Sequence, residues 1–145
     1  MKKWMLPLAG LLPLVLGVLL DRAMMTVFFD VTPPLRLIGI LTLGVWFGLA
    51  FLLGGWAGDP RQAAALLNLP ALLVLVLLGV QELALHAYWQ NLAGVLTQLF
   101  FFPLLSLGFA LTGWSQSVFS AYCAAFLLLA AASYLGARFR FQRRR

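Results

Sequence analysis

"LRLIGILTLGVWFGLAFLLGGWA", Leu35 to Ala57, carries a single charge, Arg36, at its start. A hydrocarbon core of about 30 Å needs about 20 apolar helical residues, so this stretch predicts a membrane-spanning helix. The whole chain agrees, because 63% of its 145 residues are hydrophobic and 10% are charged. The apolar segments lack the strict alternation of a membrane β-barrel. We therefore expect an all-α, polytopic integral membrane helix bundle with no soluble domain.

Apolar segments divide the chain into about five predicted transmembrane helices, with four or six as alternatives, in a single domain of residues 1–145. The predicted spans cover residues 4–20, 35–57, 64–89, 92–113 and 117–137. Residues 21–34 are too short and too interrupted by charges to cross, and they predict an interfacial half-helix. Residues 138–145 form a basic tail suited to anionic lipid headgroups rather than to nucleic acid.

The basic residues predict an orientation in the cell membrane. Five spans place Arg22, Arg36 and the five arginines from residue 138 onward on one side, and Lys2, Lys3 and Arg61 on the other. Seven against three predicts a cytoplasmic C-terminus and an external N-terminus. An even number of spans, which one re-entrant segment would produce, places both basic ends in the cytoplasm.

Three glycines of the second span, Gly44, Gly48 and Gly55, fall within about 40° of one another on a helix. Gly44 and Gly48 form a GxxxG pattern, which lets two membrane helices approach closely. This face predicts helix packing, either in a homo-oligomer or with another membrane protein.

The polar residues of the third span form a second pattern. "QELALHAYWQN", Gln81 to Asn91, holds the one histidine and one of the four acidic residues. At helical spacing Glu82 and His86 share a face with Asn68, whereas Gln81 points almost opposite. With five spans, this stretch approaches the membrane face of the first connection. The candidate polar cluster comprises Glu82, His86, Asp21, Arg22, Asp30, Arg36 and Asn68.

Three roles for this cluster remain open. In the first, Glu82 forms a buried ion pair with Arg22 or Arg36 while His86 reaches the interface. In the second, Glu82 and His86 handle a proton or a solute, and in the third they act in catalysis. No metal site is predicted, because the chain lacks the three or four ligands that a metal centre needs. We assign no catalytic residue and expect no cofactor.

These features predict a small integral membrane protein, a non-enzymatic accessory or assembly subunit that works through helix–helix contacts. One alternative is a small solute or proton-coupled transporter that uses Glu82. A second alternative is an intramembrane lipid-modifying enzyme.

Overall fold

The prediction of an all-α bundle of membrane-spanning length is confirmed by a computed structural model, which describes residues 2–143. Its helices are α1 (Met5–Thr26), α2 (Leu35–Trp56), α3 (Pro60–Leu67), α4 (Leu69–Ala84), α5 (Leu92–Phe100), α6 (Leu105–Thr112) and α7 (Val118–Gln142). Four segments, α1, α2, residues 92–112 and α7, are long and apolar enough to cross a membrane, and the bent pair of α3 and α4 makes a fifth.

The helix ends differ from the predicted spans. α1 continues to Thr26, whose hydroxyl donates to the Arg22 carbonyl, so the start of the expected interfacial half-helix belongs to the first long helix. α3 begins at Pro60, where Asp59 caps it by accepting from the Gln62 backbone N–H at 2.7 Å. α7 extends through much of the predicted basic tail to Gln142. Arg144 and Arg145 of that tail lie outside the described residues.

The core lies where α2, α4, α7 and the 92–112 segment meet. α2 turns Gly39, Thr42, Trp46 and Ala50 inward. Trp46, Leu78, Phe100, Phe101 and Leu129 are among the large side chains buried there. α7 packs closely against α2, because a Cβ added at Gly136 would lie 2.3 Å from the Phe47 carbonyl oxygen.

α7 runs antiparallel to the α3–α4 pair. Asn68 Nδ2 donates to Ser133 Oγ near one end of α7, and Ser117 Oγ donates to Glu82 at the other. We call the end of the bundle that holds Glu82 and Ser117 the Glu82 end. The opposite end, which holds Asp59 and the C-terminus of α7, is the terminal end.

Both described chain ends lie at the terminal end. Gly10, early in α1, lies against α3, since a Cβ there would be 2.3 Å from the Leu67 carbonyl oxygen. At the close of α2, a Cβ on Gly54 would lie 3.3 Å from the Ala137 Cβ, near the close of α7. α1 therefore starts where α2 and α7 finish.

The segment from α5 to α6 starts and finishes at the Glu82 end. Before α5, the Trp89 backbone N–H donates to the Gln81 side chain at 2.9 Å. α6 ends at Thr112, and a few residues later Ser117 Oγ donates to the Glu82 carboxylate at 2.5 Å. The segment therefore leaves the bundle at the end where it entered.

Contacts within the segment agree with this path. A straight helix from Leu92 would place Gly108 roughly 24 Å farther along. Instead Gly108 lies against the first turns of α7, where a Cβ on it would be 2.4 Å from the Ala121 carbonyl oxygen. Leu107 lies against Gly39 near the start of α2. A 3-10 turn at Phe102–Leu104 separates α5 from α6, and Pro103 there has no N–H to continue the ladder of α5.

Residues 92–112, which match a span in length and apolarity, thus start and finish near the same end of the bundle, and we call them the re-entrant segment. Irregular backbone at membrane depth requires shielding by protein, and Phe100, Phe101 and Leu104 at the 3-10 turn are at most 1% exposed. Together, α1, α2, residues 92–112, α7 and the bent α3–α4 pair give four to five segments that could cross a membrane, in agreement with the predicted number of about five.

The third crossing is broken at Asn68, where α3 and α4 meet at 50°. Pro70, in the first turn of α4, lacks the N–H that would continue the ladder of α3. The Asn68 side chain is 5% exposed and accepts from Trp46 Nε1 at 3.1 Å. It donates to the Ala64 carbonyl at 2.8 Å and to Ser133 Oγ at 2.6 Å. One side chain thus joins α2, α3 and α7 at the break.

Candidate functional site: the polar cluster at the Glu82 end

Glu82 is half-buried and holds three segments of the chain together. One of its carboxylate oxygens accepts from the Tyr88 hydroxyl and the other from Ser117 Oγ. Glu82 lies at the end of α4, Tyr88 in the connection to α5, and Ser117 at the N-cap of α7. The carboxylate therefore fixes the connection and the start of α7 against α4.

Local backbone geometry sets the direction of Glu82. The last turn of α4, Val80–Ala84, is a π-helical turn, which shifts side chains away from α-helical spacing. His86 follows with a φ of 50°, in the left-handed region, and the Ala87 N–H donates to the Gln81 carbonyl at 3.0 Å. This bond is typical of a helix C-cap and normally uses glycine at the left-handed position.

The regular i, i+4 relation expected between Glu82 and His86 is therefore not present. His86 is exposed and terminates the helix, and no hydrogen bond or ion pair within residues 2–143 joins it to Glu82. The sequence carried no signal for this change, because π-turns and left-handed caps at non-glycine residues depend on the packing around them.

Gln81 is the site residue that helical spacing missed. Its side chain is fully buried, with its Oε1 accepting from the Trp89 N–H at 2.9 Å and its Nε2 donating to Thr97 at 3.2 Å. Thr97 in turn donates to the Gly94 carbonyl at 2.7 Å. Gln81 points away from the predicted stripe because the re-entrant segment packs on that side of α4. An amide within an apolar span was the available clue, since it requires a partner.

The remaining members of the predicted cluster are dispersed. Asp21 is half-buried, whereas Arg22, Asp30 and Arg36 are exposed. In the described part of the chain, none of them forms an ion pair or a side-chain hydrogen bond with Glu82. Asn68 belongs to the break in the third crossing, more than three helical turns from Glu82.

Neutral donors, not arginines, thus surround the carboxylate. Burial, and then the hydrogen bond to Glu82, raise the pKa of the Tyr88 hydroxyl above its ordinary value. Tyr88 therefore stays a protonated donor throughout the physiological pH range. Among residues 2–143, no group of three or more His, Cys, Asp and Glu side chains is placed to hold a metal ion.

The glycines of α2 divide into two groups. A Cβ added at Gly44 or Gly48 would meet nothing within 4 Å. Gly39 on the inner face, in contrast, would bring a Cβ to 2.9 Å from the Leu107 side chain. Gly55 lies in the 3-10 turn Gly54–Trp56 that closes α2, and so does not continue the α-helical face of Gly44 and Gly48.

Comparison with known proteins adds no assignment to this geometry. No protein family, no curated protein and no solved structure matches the chain.

Proposed function

We propose that the chain is a membrane-embedded assembly subunit that pairs with a second copy of itself through the outer face of α2. The observation that carries this proposal is the open space at Gly44 and Gly48. Packing within the chain accounts for other helical glycines, such as Gly17, which approaches the Leu99 carbonyl, and Gly136, which approaches Phe47. It does not account for the two that form the GxxxG pattern.

The geometry of this face suits a helix partner. Gly44 and Gly48 lie about one turn apart, roughly opposite the buried Trp46. Ile40 and Val45 beside them are 58% and 48% exposed. Small residues flanked by larger apolar ones form a shallow groove in which another helix backbone packs closely.

A second copy is the occupant that this pattern favours. A two-fold axis brings the same patch of both chains together, so a single glycine face satisfies both partners. The described arginines and lysines do not lie on this face between residues 40 and 52, so no charge opposes the approach.

The test is the mass of the purified protein in mild detergent, measured by light scattering. Wild type should have twice the 16.0 kDa mass of one chain, and Gly48→Leu should have the mass of one chain. Since Gly48 has open space around its Cβ position, the variant should keep the thermal stability of the monomer. Ala131→Leu, which enlarges an exposed small residue on α7, is the matched control and should remain dimeric. A monomeric wild type, or a dimer that persists in Gly48→Leu, would refute the pairing.

The distribution of charge supports a position in the cell membrane with both termini in the cytoplasm. Described basic side chains at the terminal end are Lys3, Arg61, Arg138, Arg140 and Arg143, and those at the Glu82 end are Arg22 and Arg36. Positive charge favours the cytoplasmic side of a membrane protein. If α1, α2, the α3–α4 pair and α7 cross the membrane and residues 92–112 re-enter it, both basic ends lie on that side together, which would remove the conflict between the lysines at the start and the arginines at the end.

Transport or catalysis at Glu82 has less support. Both of its carboxylate oxygens are occupied by hydroxyl donors, and His86 is turned to a capping role. The space around the 3-10 turn at Phe102–Leu104 is filled by buried Phe100, Phe101 and Leu104. These contacts favour a carboxylate that stabilises the bundle.

A further inference from the structure

An open cavity of about 500 Å³ lies at the terminal end, between the connection to α3 and the last turns of α7. Asp59, Pro60, Tyr134, Arg138 and Gln142 line it. A second cavity of about 290 Å³ shares Asp59, Pro60 and Tyr134 with the first and adds Arg61. Two guanidinium-bearing residues thus flank one tyrosine at the membrane surface.

α7 separates its arginines between two faces. Arg140 and Arg143 lie over the Phe51 ring, with guanidinium carbons 5.6 and 5.5 Å from its centroid. Arg138 lines the cavity instead, four residues after Tyr134 and four before Gln142. Arg138 therefore belongs to a defined site and not simply to a diffuse basic tail.

The charge of the two cavities is net positive. Asp59 is the acid that lines them, and one of its carboxylate oxygens already accepts from the Gln62 N–H at the start of α3. Arg61 and Arg138 carry planar guanidinium groups, which bind phosphate oxygens in a bidentate manner. The site therefore suits a phosphate anion.

A separate apolar groove lies farther along α7, toward the middle of the bundle. It has a volume of about 340 Å³, and Ala64, Leu69 and Leu72 line it on one side and Phe126 and Ala130 on the other. Phe126, Ala130, Tyr134, Arg138 and Gln142 follow one another at four-residue steps on α7. The apolar groove and the polar cavity thus lie along successive turns of α7, against the connection to α3 and the α3–α4 pair.

We propose that this combined surface binds one anionic phospholipid. The phosphate lies between Arg61 and Arg138 beside the Tyr134 hydroxyl, and one acyl chain lies in the groove beside Ala130. A soluble phosphate would use the polar cavity alone, whereas a phospholipid fills both parts. Anionic lipid is enriched in the cytoplasmic leaflet, and this part of the inference rests on the proposed orientation, in which the terminal end faces the cytoplasm.

The test is native mass spectrometry of delipidated protein titrated with phosphatidylglycerol or phosphatidylcholine, with melting temperature as a second readout. Phosphatidylglycerol should form a one-to-one adduct and raise the melting temperature more than phosphatidylcholine does. Affinity should fall about fivefold for each arginine removed, in Arg61→Gln, Arg138→Gln and the double variant. The control Arg22→Gln/Arg36→Gln removes the same charge at the Glu82 end and should bind as wild type does.

Ala130→Phe tests the acyl part, because it fills the groove without changing charge, and it should weaken binding of phosphatidylglycerol. Glycerol phosphate in solution should give no comparable stabilisation. Equal binding of the two lipids, equal losses in the two double variants, or wild-type affinity in Ala130→Phe would each overturn the proposal. Full stabilisation by glycerol phosphate would overturn the assignment of a lipid.

Discussion

The hydrogen bond between Trp46 and Asn68 gives the sharpest test of how the broken third crossing is held. Asn68→Leu keeps a similar side-chain volume but removes three hydrogen bonds, to Trp46 Nε1, to the Ala64 carbonyl and to Ser133 Oγ. Side-chain hydrogen bonds within membrane bundles are worth about 0.6 kcal/mol on average and at most about 1.7 kcal/mol. The free energy of unfolding should therefore fall by about 2 kcal/mol, and by no more than about 5 kcal/mol.

The measurement is reversible unfolding in mixed micelles of a mild detergent and dodecyl sulfate, followed by circular dichroism. A double-mutant cycle of Trp46→Phe and Asn68→Leu isolates the bond between the two side chains. Its coupling energy should be about 0.6–1.7 kcal/mol. Trp114→Phe, at a tryptophan that is 85% exposed, is the matched control and should leave stability unchanged.

Two results would refute this reasoning. A coupling energy indistinguishable from zero would mean that the contact between Trp46 and Asn68 contributes no stability. An unchanged unfolding free energy in Asn68→Leu would mean that Pro70 alone maintains the break, and that the buried amide is not needed to join α2, α3 and α7.

Two further predictions concern the Glu82 end. Glu82→Gln should lower the unfolding free energy by about 1–3 kcal/mol, because an amide nitrogen then faces one of the two hydroxyl donors. The control Asp30→Asn should leave the unfolding free energy unchanged. Wild-type stability of Glu82→Gln together with lost proton flux in proteoliposomes would instead favour the transporter. The path of residues 92–112 can be tested with single cysteines at Gln62, Gln90 or Gln116, in a Cys123→Ala background, and a membrane-impermeant maleimide. Positions 90 and 116 should be labelled from the same side of the membrane, and position 62 from the other side. Labelling of positions 90 and 116 from opposite sides would show that residues 92–112 cross the membrane.

Local composition was sufficient to predict the fold class. The Leu35–Ala57 run and its counterparts carry too few charged residues to cover the surface of a soluble fold, and in an apolar solvent a helix satisfies every backbone group within its own segment. The GxxxG pattern at Gly44 and Gly48 was also visible in the sequence, as was the need of the buried amides for partners. Each of these features depends on residues close together in the chain.

The path of residues 92–112 was decided by tertiary contacts. Length and apolarity are the same for a straight span and for a segment that returns toward its starting end, and the contacts of this segment come from tertiary packing: Gly108 fits against Ala121, while Phe101 and Leu104 fill the core. The partners of Glu82 were decided in the same way. Tyr88 and Ser117 reach it because a π-turn and a left-handed residue at His86 redirect the end of α4, and because α7 starts at the same end of the bundle. Residue spacing on an ideal helix encodes neither event, so the sequence determined a membrane bundle with buried polar groups, and the packing determined which of those groups meet.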